Sequence, residues 1–223
     1  MIKSRIGVLG GTFDPIHNGH LGLAIEAIDK LALKTVFLVP SFLSPNKVNQ
    51  HITPINIRIQ MARLAVETYS NIRVSILEAE RGGLSYTVDT MEFFSKKFSN
   101  DEIFFLGGMD SFVDMGVWRD FQKIFKLSNL VIAPRQGIKT PDIMKCLKDW
   151  FGAKNPYTKV DSDKFLAKFI RKDNNNQITF LQLNQCPAAS NEIRAMVAQG
   201  REVKKLLPAK VENYIIKHRL YQV

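Results

Sequence analysis

The chain has 223 residues, of which 45% are hydrophobic and 23% charged, and its formal net charge is +10. That length predicts one domain, residues 1–223, large enough to bury a core without disulfides or a structural metal, and the isolated Cys146 and Cys186 exclude a disulfide framework and a zinc ribbon. The basic residues are scattered, which is typical of a solvated surface rather than of a nucleic-acid face.

The first half of the chain alternates apolar runs with segments of helical periodicity. Thr53 and Pro54 are expected to act as the N-cap and the first residue of one helix. The pattern predicts strands at Ile6–Leu9, Thr35–Val39 and Arg73–Leu77, and helices at Leu21–Leu33, Thr53–Tyr69 and Thr87–Phe98.

The second half continues the alternation. It predicts strands at Glu102–Leu106, Leu130–Ala133 and Ile178–Leu183, and helices at Asn191–Gln199 and Ala209–Lys217. Residues 136–173 fit the pattern least, and we treat them as a candidate insertion with helices at Asp142–Phe151 and Asp163–Ile170. Its role as a lid, an oligomer contact or a plain insertion stays open.

Strand and helix in alternation predict an α/β fold, a Rossmann-like, doubly wound parallel sheet with helices on both faces. Ligands of such sheets bind beyond the carboxyl ends of the strands. Four segments should therefore meet at one rim: Gly10–His20, Pro40–Lys47, Gly107–Trp118 and Pro187–Arg194.

The segment Gly10–His20 follows a strand and opens a helix. Its glycines let a ligand approach the backbone, and a helix N-terminus favours phosphate. His17 and His20 are three residues apart, so both side chains can lie on the first turn and donate to phosphate oxygens.

Three other interpretations of this segment are disfavoured. The GxGxxG pattern of dinucleotide-binding oxidoreductases and the Gly-Lys-Ser/Thr of a P-loop are both missing. A metal site on His17 and His20 lacks a third ligand, so no protein metal site is predicted.

The other rim segments carry side chains suited to nucleotides. Lys47 follows two prolines in a loop and is a candidate phosphate ligand. Asp110 can accept hydrogen bonds from ribose hydroxyls, and Trp118 offers a flat aromatic face. The helix that starts near Thr87 has an N-terminus that prefers an anion.

The segment Gly10–His20 resembles the signature of a known family. His17-Asn18-Gly19-His20 is similar to the HxGH motif of the nucleotidylyltransferase superfamily, and Gly-Gly-Thr-Phe-Asp-Pro-Ile-His, from Gly10, resembles the bacterial nicotinate-nucleotide adenylyltransferases. The resemblance implies the nucleotidylyltransferase fold and transfer of AMP from ATP to nicotinate mononucleotide, giving deamido-NAD and pyrophosphate. Mg²⁺ is expected to enter with ATP.

The resemblance also implies roles for individual residues. ATP would be bound by Gly10, Gly11, Thr12, Phe13, His17, His20, Gly107, Asp110, Ser190, Asn191 and Arg194. Nicotinate mononucleotide would be bound by Asp14, Lys47, Tyr86, Thr87, Trp118 and Arg119. The catalytic group would be His17, His20, Lys47 and Arg194.

One motif departs from the family. Its Ser-Ser-Thr-x-x-Arg pattern reads Ala189-Ser190-Asn191-Glu192-Ile193-Arg194 here, so the first Ser and the Thr are replaced. Asn191 can still cap the helix, and Arg194 keeps its charge. The substitutions leave the triphosphate contacts and the turnover rate open.

Other functions remain as alternatives. The acceptor could be nicotinamide mononucleotide, phosphopantetheine or glycerol phosphate, and the altered Ala189–Asn191 stretch would suit a non-catalytic nucleotide-binding regulator. Nucleic-acid binding ranks last, because no aromatic-and-basic stripe accompanies the charge. A homo-oligomer stays open.

The sequence also bears on location. Residues 1–5 run directly into a strand without a signal-peptide apolar region, and no apolar run approaches the roughly 20 residues that cross a bilayer. We therefore expect a cytoplasmic protein without a membrane partner.

Overall fold

The computed structural model describes residues 3–134, 142–183 and 188–222, and within them eight strands form one sheet. In chain order the strands are β1 (Arg5–Gly11), β2 (Thr35–Pro40), β3 (Ile72–Val74), β4 (Glu102–Gly108), β5 (Asn129–Ala133), β6 (Tyr157–Val160), β7 (Ala167–Arg171) and β8 (Gln177–Phe180). The α-helices of the same residues are α1 (Asn18–Leu31), α2 (Ile55–Val66), α3 (Leu77–Arg81), α4 (Thr87–Lys97), α5 (Met109–Asp114), α6 (Phe121–Leu127), α7 (Ile143–Phe151), α8 (Ser190–Ala198) and α9 (Ala209–Lys217).

The strand order is β3-β2-β1-β4-β5-β8-β7-β6. The first six strands in this order are parallel, and β7 and β6 continue the sheet in antiparallel pairing. The chain winds outward from β1 to β3 and then returns to place β4 on the other side of β1. This reversal creates a crevice at the carboxyl ends of β1 and β4, where open α/β sheets bind ligands.

Both faces of the sheet are covered by helices. Alternate residues of β4 show why, since Phe104 and Leu106 belong to one buried cluster and Ile103 and Phe105 to the other. The first cluster is completed by α1, α2, α8 and α9, and the second by α4 to α7. The predicted doubly wound α/β fold is confirmed.

The predicted start of α2 is wrong by one residue. Pro54 is the N-cap, because its carbonyl accepts the N–H groups of Ile57 and Arg58. The N–H of Thr53 donates instead to the carboxylate of Asp14, at 3.1 Å. A long-range contact thus fixes this boundary, and α2 ends at Val66 rather than near Tyr69.

Two predicted strands are shorter than expected. The strand predicted at Arg73–Leu77 is observed at Ile72–Val74, and Leu77 instead begins helix α3, which the sequence did not indicate. Similarly, β8 ends at Phe180 rather than at Leu183. In both places the hydrophobic pattern continues past the end of the observed strand, so the pattern overestimates strand length.

The segment 142–173 contains one confirmed and one wrong prediction. Helix α7 follows Asp142, whose carboxylate accepts the N–H of Lys145 at 3.1 Å. The helix predicted at Asp163–Ile170 is wrong, because residues from Ala167 onward form strand β7, which pairs with both β6 and β8. Tertiary pairing overrides the weak local periodicity. Residues 136–141 lie outside the described residues.

No helix among the described residues is long and apolar enough to cross a membrane. Cys146 lies half-buried on α7, where burial raises the pKa of its thiol. Cys186 lies outside the described residues.

Candidate active site

A cavity of about 740 Å³ opens at the carboxyl ends of the central strands. Gly10 and Gly11 line it from the end of β1, and Gly107 and Gly108 from the end of β4. Each of the four predicted rim segments contributes residues to its wall, although Pro187 lies outside the described part of the chain. The volume suits a ligand of nucleotide size.

The cavity brings together nearly all the residues singled out in the sequence. Asp14 alone of that set is described but does not line it. The lining residues from the set are Gly10, Gly11, Thr12, Phe13, His17, His20, Lys47, Tyr86, Thr87, Gly107, Asp110, Trp118, Arg119, Ser190, Asn191 and Arg194.

The paired imidazoles form one face of the cavity. The rings of His17 and His20 are stacked, with centroids 3.6 Å apart and planes at 25°. The main-chain N–H of His17 donates to Nδ1 of His20 at 3.3 Å. In a neutral imidazole this bond assigns the proton of His20 to Nε2 and makes that nitrogen a donor.

Glycines keep room around this pair. A Cβ on Gly19 would lie 3.0 Å from Nδ1 of His17, so a side chain there would press on the imidazole. A Cβ on Gly10 would meet no atom within 4 Å and would stand in open space at the cavity wall. Position 10 therefore leaves the backbone accessible to a ligand.

Lys47 is held at the cavity by the first loop. Its Nζ donates to the hydroxyl of Thr12 at 2.9 Å. Burial lowers the pKa of Lys47, and the positive charge of Arg194 lowers it further. A half-buried ammonium beside a second cation is strongly suited to an anionic ligand.

Helix α8 is tied to the same loop. The Arg194 guanidinium donates to the main-chain oxygen of Asp14 at 2.7 Å, and the Ser190 hydroxyl donates to that of Pro15 at 3.0 Å. These bonds fix the N-terminus of α8 against the loop that carries the histidines. Residues 189–191, where the family motif is altered, thus keep contact with the site.

Asp14 is placed behind the loop rather than in the cavity wall. Its side chain is buried, and its carboxylate accepts the hydroxyl of Tyr221 at 2.7 Å and the N–H of Thr53 at 3.1 Å. This differs from the direct mononucleotide contact expected of it. In this structure its carboxylate holds the loop in place by joining it to α2 and to the C-terminal tail.

Tyr86, Trp118 and Arg119 add aromatic rings and a further positive charge to the lining of the cavity. The Arg119 guanidinium lies 3.7 Å from the ring centroid of Tyr86 and also pairs with the carboxylate of Asp89. Trp118 packs edge-on against Phe105, with centroids 6.2 Å apart. Trp118 and Arg119 follow the short turn at the end of α5. One connection therefore presents both the flat indole ring and the guanidinium charge.

Two residues important to this geometry were missed in the sequence. Neither Arg58 nor Tyr221 was assigned a role in the site from the sequence, yet each bonds to the loops of the site. The helical spacing could have indicated Arg58, because it places this arginine on the buried face of α2 with Met61, Ala62 and Ala65. A charged residue in that position is rarely buried without a partner. For Tyr221 no comparable signal is present.

The polar groups of the cavity favour phosphate chemistry. Lys47, Arg119 and Arg194 supply positive charge, and Asp110 supplies a carboxylate for hydroxyl groups. Across residues 3–134, 142–183 and 188–222, no group of three or more His, Cys, Asp or Glu side chains could hold a metal ion.

Comparison with known proteins gives consistent results. The Cytidylyltransferase-like family matches residues 8–196. A Clostridium beijerinckii protein named "Probable nicotinate-nucleotide adenylyltransferase" is 35% identical over 98% of this chain and 99% of its own length, and a Geotalea daltonii protein of the same name is 35% identical over 97% and 98%. The fold is similar to that of Plasmodium falciparum nicotinic acid mononucleotide adenylyltransferase complexed with NaAD, with a TM-score of 0.72, 18% identity and coverage of 98% and 97%.

Proposed function

The chain belongs to the cytidylyltransferase-like family and, within it, to the nicotinate-nucleotide adenylyltransferases, and from this premise we propose that it joins nicotinate mononucleotide to the AMP part of ATP. The products are nicotinate adenine dinucleotide and pyrophosphate, a step of NAD biosynthesis. The observation that carries the proposal is one cavity that unites the stacked His17 and His20 with Lys47 and Arg194.

The reaction is an in-line displacement at phosphorus. A phosphate oxygen of the mononucleotide attacks the α-phosphorus of ATP, and the bond from that phosphorus to the oxygen bridging it to the β-phosphorus breaks. Pyrophosphate leaves with the electron pair of that bond. No protein nucleophile takes part, so catalysis consists of positioning and of stabilising charge.

Each group that faces the phosphates has a place in this displacement. His17 and His20 donate to the α-phosphate as negative charge shifts onto its oxygens. Lys47 steadies the attacking phosphate, and Ser190 and Arg194 hold the leaving pyrophosphate. ATP enters as its Mg²⁺ complex, in which the phosphates and water supply most of the ligands.

The mononucleotide lies along the part of the cavity lined by Tyr86, Trp118 and Arg119. Its pyridine ring stacks on Trp118, and its carboxylate is received by the main-chain N–H groups of Thr87 and Arg119. Thr87 is the first residue of α4, where the helix dipole favours an anion. The Arg119 guanidinium, held between Tyr86 and Asp89, adds positive charge to this part of the cavity. The acid should therefore be preferred to the neutral amide.

A pyrophosphate-release assay tests the proposal. The protein is supplied with MgATP and, in separate reactions, with nicotinate mononucleotide, nicotinamide mononucleotide, phosphopantetheine or glycerol phosphate. We expect the highest kcat/KM with the nicotinate compound, and nicotinate adenine dinucleotide as the product identified by mass spectrometry. No pyrophosphate from any acceptor would refute the proposal, whereas a clear preference for the amide would refute its substrate assignment.

A further inference from the structure

The side chain of Arg58 is buried behind the cavity. It belongs to the apolar stripe of α2, and only 1% of the residue is exposed. Burial lowers the pKa of its guanidinium, and the negative charge of Asp14 opposes that shift. A buried cation is costly unless its N–H groups are hydrogen-bonded, so its partners explain why it is there.

Those partners are four main-chain carbonyl oxygens. Nε of Arg58 donates to Thr53 at 2.7 Å, Nη1 donates to Thr12 at 2.6 Å and to Ser41 at 2.8 Å, and Nη2 donates to Phe42 at 3.2 Å. One planar group thus joins three segments, which are the loop after β1, the loop after β2 and the residues before α2. A lysine, with a single nitrogen, could not span them.

Two of the joined loops carry groups that face the ligand. The loop after β1 contains Thr12. Its hydroxyl accepts a hydrogen bond from the ammonium of Lys47, which lies in the loop after β2. The distance between these loops is therefore set at two points, by the guanidinium behind the wall and by the Thr12–Lys47 hydrogen bond at its surface. Loss of the Arg58 hydrogen bonds should therefore shift the Thr12–Lys47 hydrogen bond as well.

We infer that Arg58 is a positioning residue for the phosphate of the acceptor mononucleotide, acting by fixing the Thr12 loop against the Lys47 loop. The inference rests on the proposed function. It assigns to Arg58 no contact with substrate, since Arg58 does not line the cavity.

The test is a double-mutant cycle between Arg58→Lys and Lys47→Ala. We expect Arg58→Lys to lower kcat/KM for nicotinate mononucleotide about tenfold or more, because small misplacements of binding groups have large effects on rate. In the Lys47→Ala background the same change should cost less than about threefold, because coupled residues give non-additive effects. Arg63→Lys, an exposed change on the same helix, should leave the kinetics unchanged.

The outcomes separate this inference from the proposed function. A wild-type protein that makes no dinucleotide refutes the function. An active wild type with unchanged kinetics in Arg58→Lys, or with the same fold loss in both Lys47 backgrounds, refutes the inference. Should Arg58→Lys fail to fold, Thr12→Val tests the same link, because it removes the acceptor of Lys47 and keeps the carbonyl bound by Arg58. Unchanged kcat/KM in Thr12→Val would overturn the inference.

Discussion

At the scale of single residues, a hydrogen bond and a ring contact hold the imidazole of His20 in one orientation. His20 is oriented by the N–H of His17 through its own Nδ1, and Phe13 packs edge-on against its ring at 4.9 Å. Such orientation is what a group needs in order to donate to charge that develops only in the transition state.

The first prediction concerns His20. The change His20→Ala removes a donor to the α-phosphate and should lower kcat by at least about 10²–10³. Steady-state kinetics with MgATP and nicotinate mononucleotide measure the effect. His218→Ala, an exposed histidine near the C-terminus, serves as the matched control and should retain wild-type kcat. Near-normal turnover in His20→Ala would remove the assigned role.

The second prediction concerns pH. Burial lowers the pKa of Lys47, as do the charges of Arg194 and Arg58, while Asp14 and Asp110 oppose the shift. Because the pKa is lowered, the ammonium is lost as pH rises, at lower pH than for a free lysine. We expect kcat/KM for the mononucleotide to fall on the alkaline side of its pH profile, and Lys47→Arg to remove that fall.

The Lys47→Arg change should remove the alkaline fall in kcat/KM, because a guanidinium stays protonated over this pH range. Lys34→Arg, an exposed substitution, should keep the wild-type alkaline limb. An alkaline limb that persists unchanged in an active Lys47→Arg variant would show that another group titrates.

At the scale of elements, helix α7 supports the turn before Trp118. The indole of Trp150 packs over Gly116, and its ring also contacts Phe112, with centroids 4.9 Å apart. Helix α7, from the segment whose role the sequence left open, thus packs against the connection that carries Trp118.

The third prediction follows from this packing. A Cβ on Gly116 would collide with the rigid indole of Trp150, so Gly116→Ala should destabilise the fold by about 1–3 kcal/mol, the usual cost of overpacking. The KM for the mononucleotide should rise with it, because Trp118 lies two residues further along the same turn. Adding Trp150→Phe to Gly116→Ala should restore part of the stability in urea unfolding. No recovery would mean that the indole is not the obstacle.

At the scale of the whole molecule, the site depends on distant parts of the chain. The tail residue Tyr221 bonds to Asp14, and the N–H of Asn18 donates to the oxygen of Leu206 at 2.9 Å. The first loop, α2 and the C-terminal segment are therefore linked, and binding in the cavity should be coupled to global stability.

The fourth prediction measures that coupling. Nicotinate adenine dinucleotide at 100 times its Kd should stabilise the protein by about 2.7 kcal/mol, which raises Tm by roughly 5–10 °C for a chain of this size. Differential scanning calorimetry gives the shift. Adenosine lacks the phosphates, so at the same concentration it should raise Tm much less. An unchanged Tm at saturating dinucleotide would contradict the assigned ligand.

The sequence by itself determined the parallel α/β fold and the convergence of the rim segments. Apolar runs such as those of β1 and β4 alternate with helical segments that can cover both faces of a parallel sheet, and the carboxyl ends of parallel strands share an edge. The sequence also determined that His17 and His20 lie side by side, because a spacing of three residues on a helix is a local property.

The tertiary structure alone decided the pairing of β7 with β6 and β8, the placement of Asp14 behind the cavity wall, and the linking of the loops by Arg58 and Tyr221. Each of these depends on partners far away in the chain, such as Asp14 and Tyr221, which are 207 positions apart. Local propensity and spacing carry information over a few residues, whereas a buried carboxylate or guanidinium is fixed by whichever distant groups satisfy its hydrogen bonds.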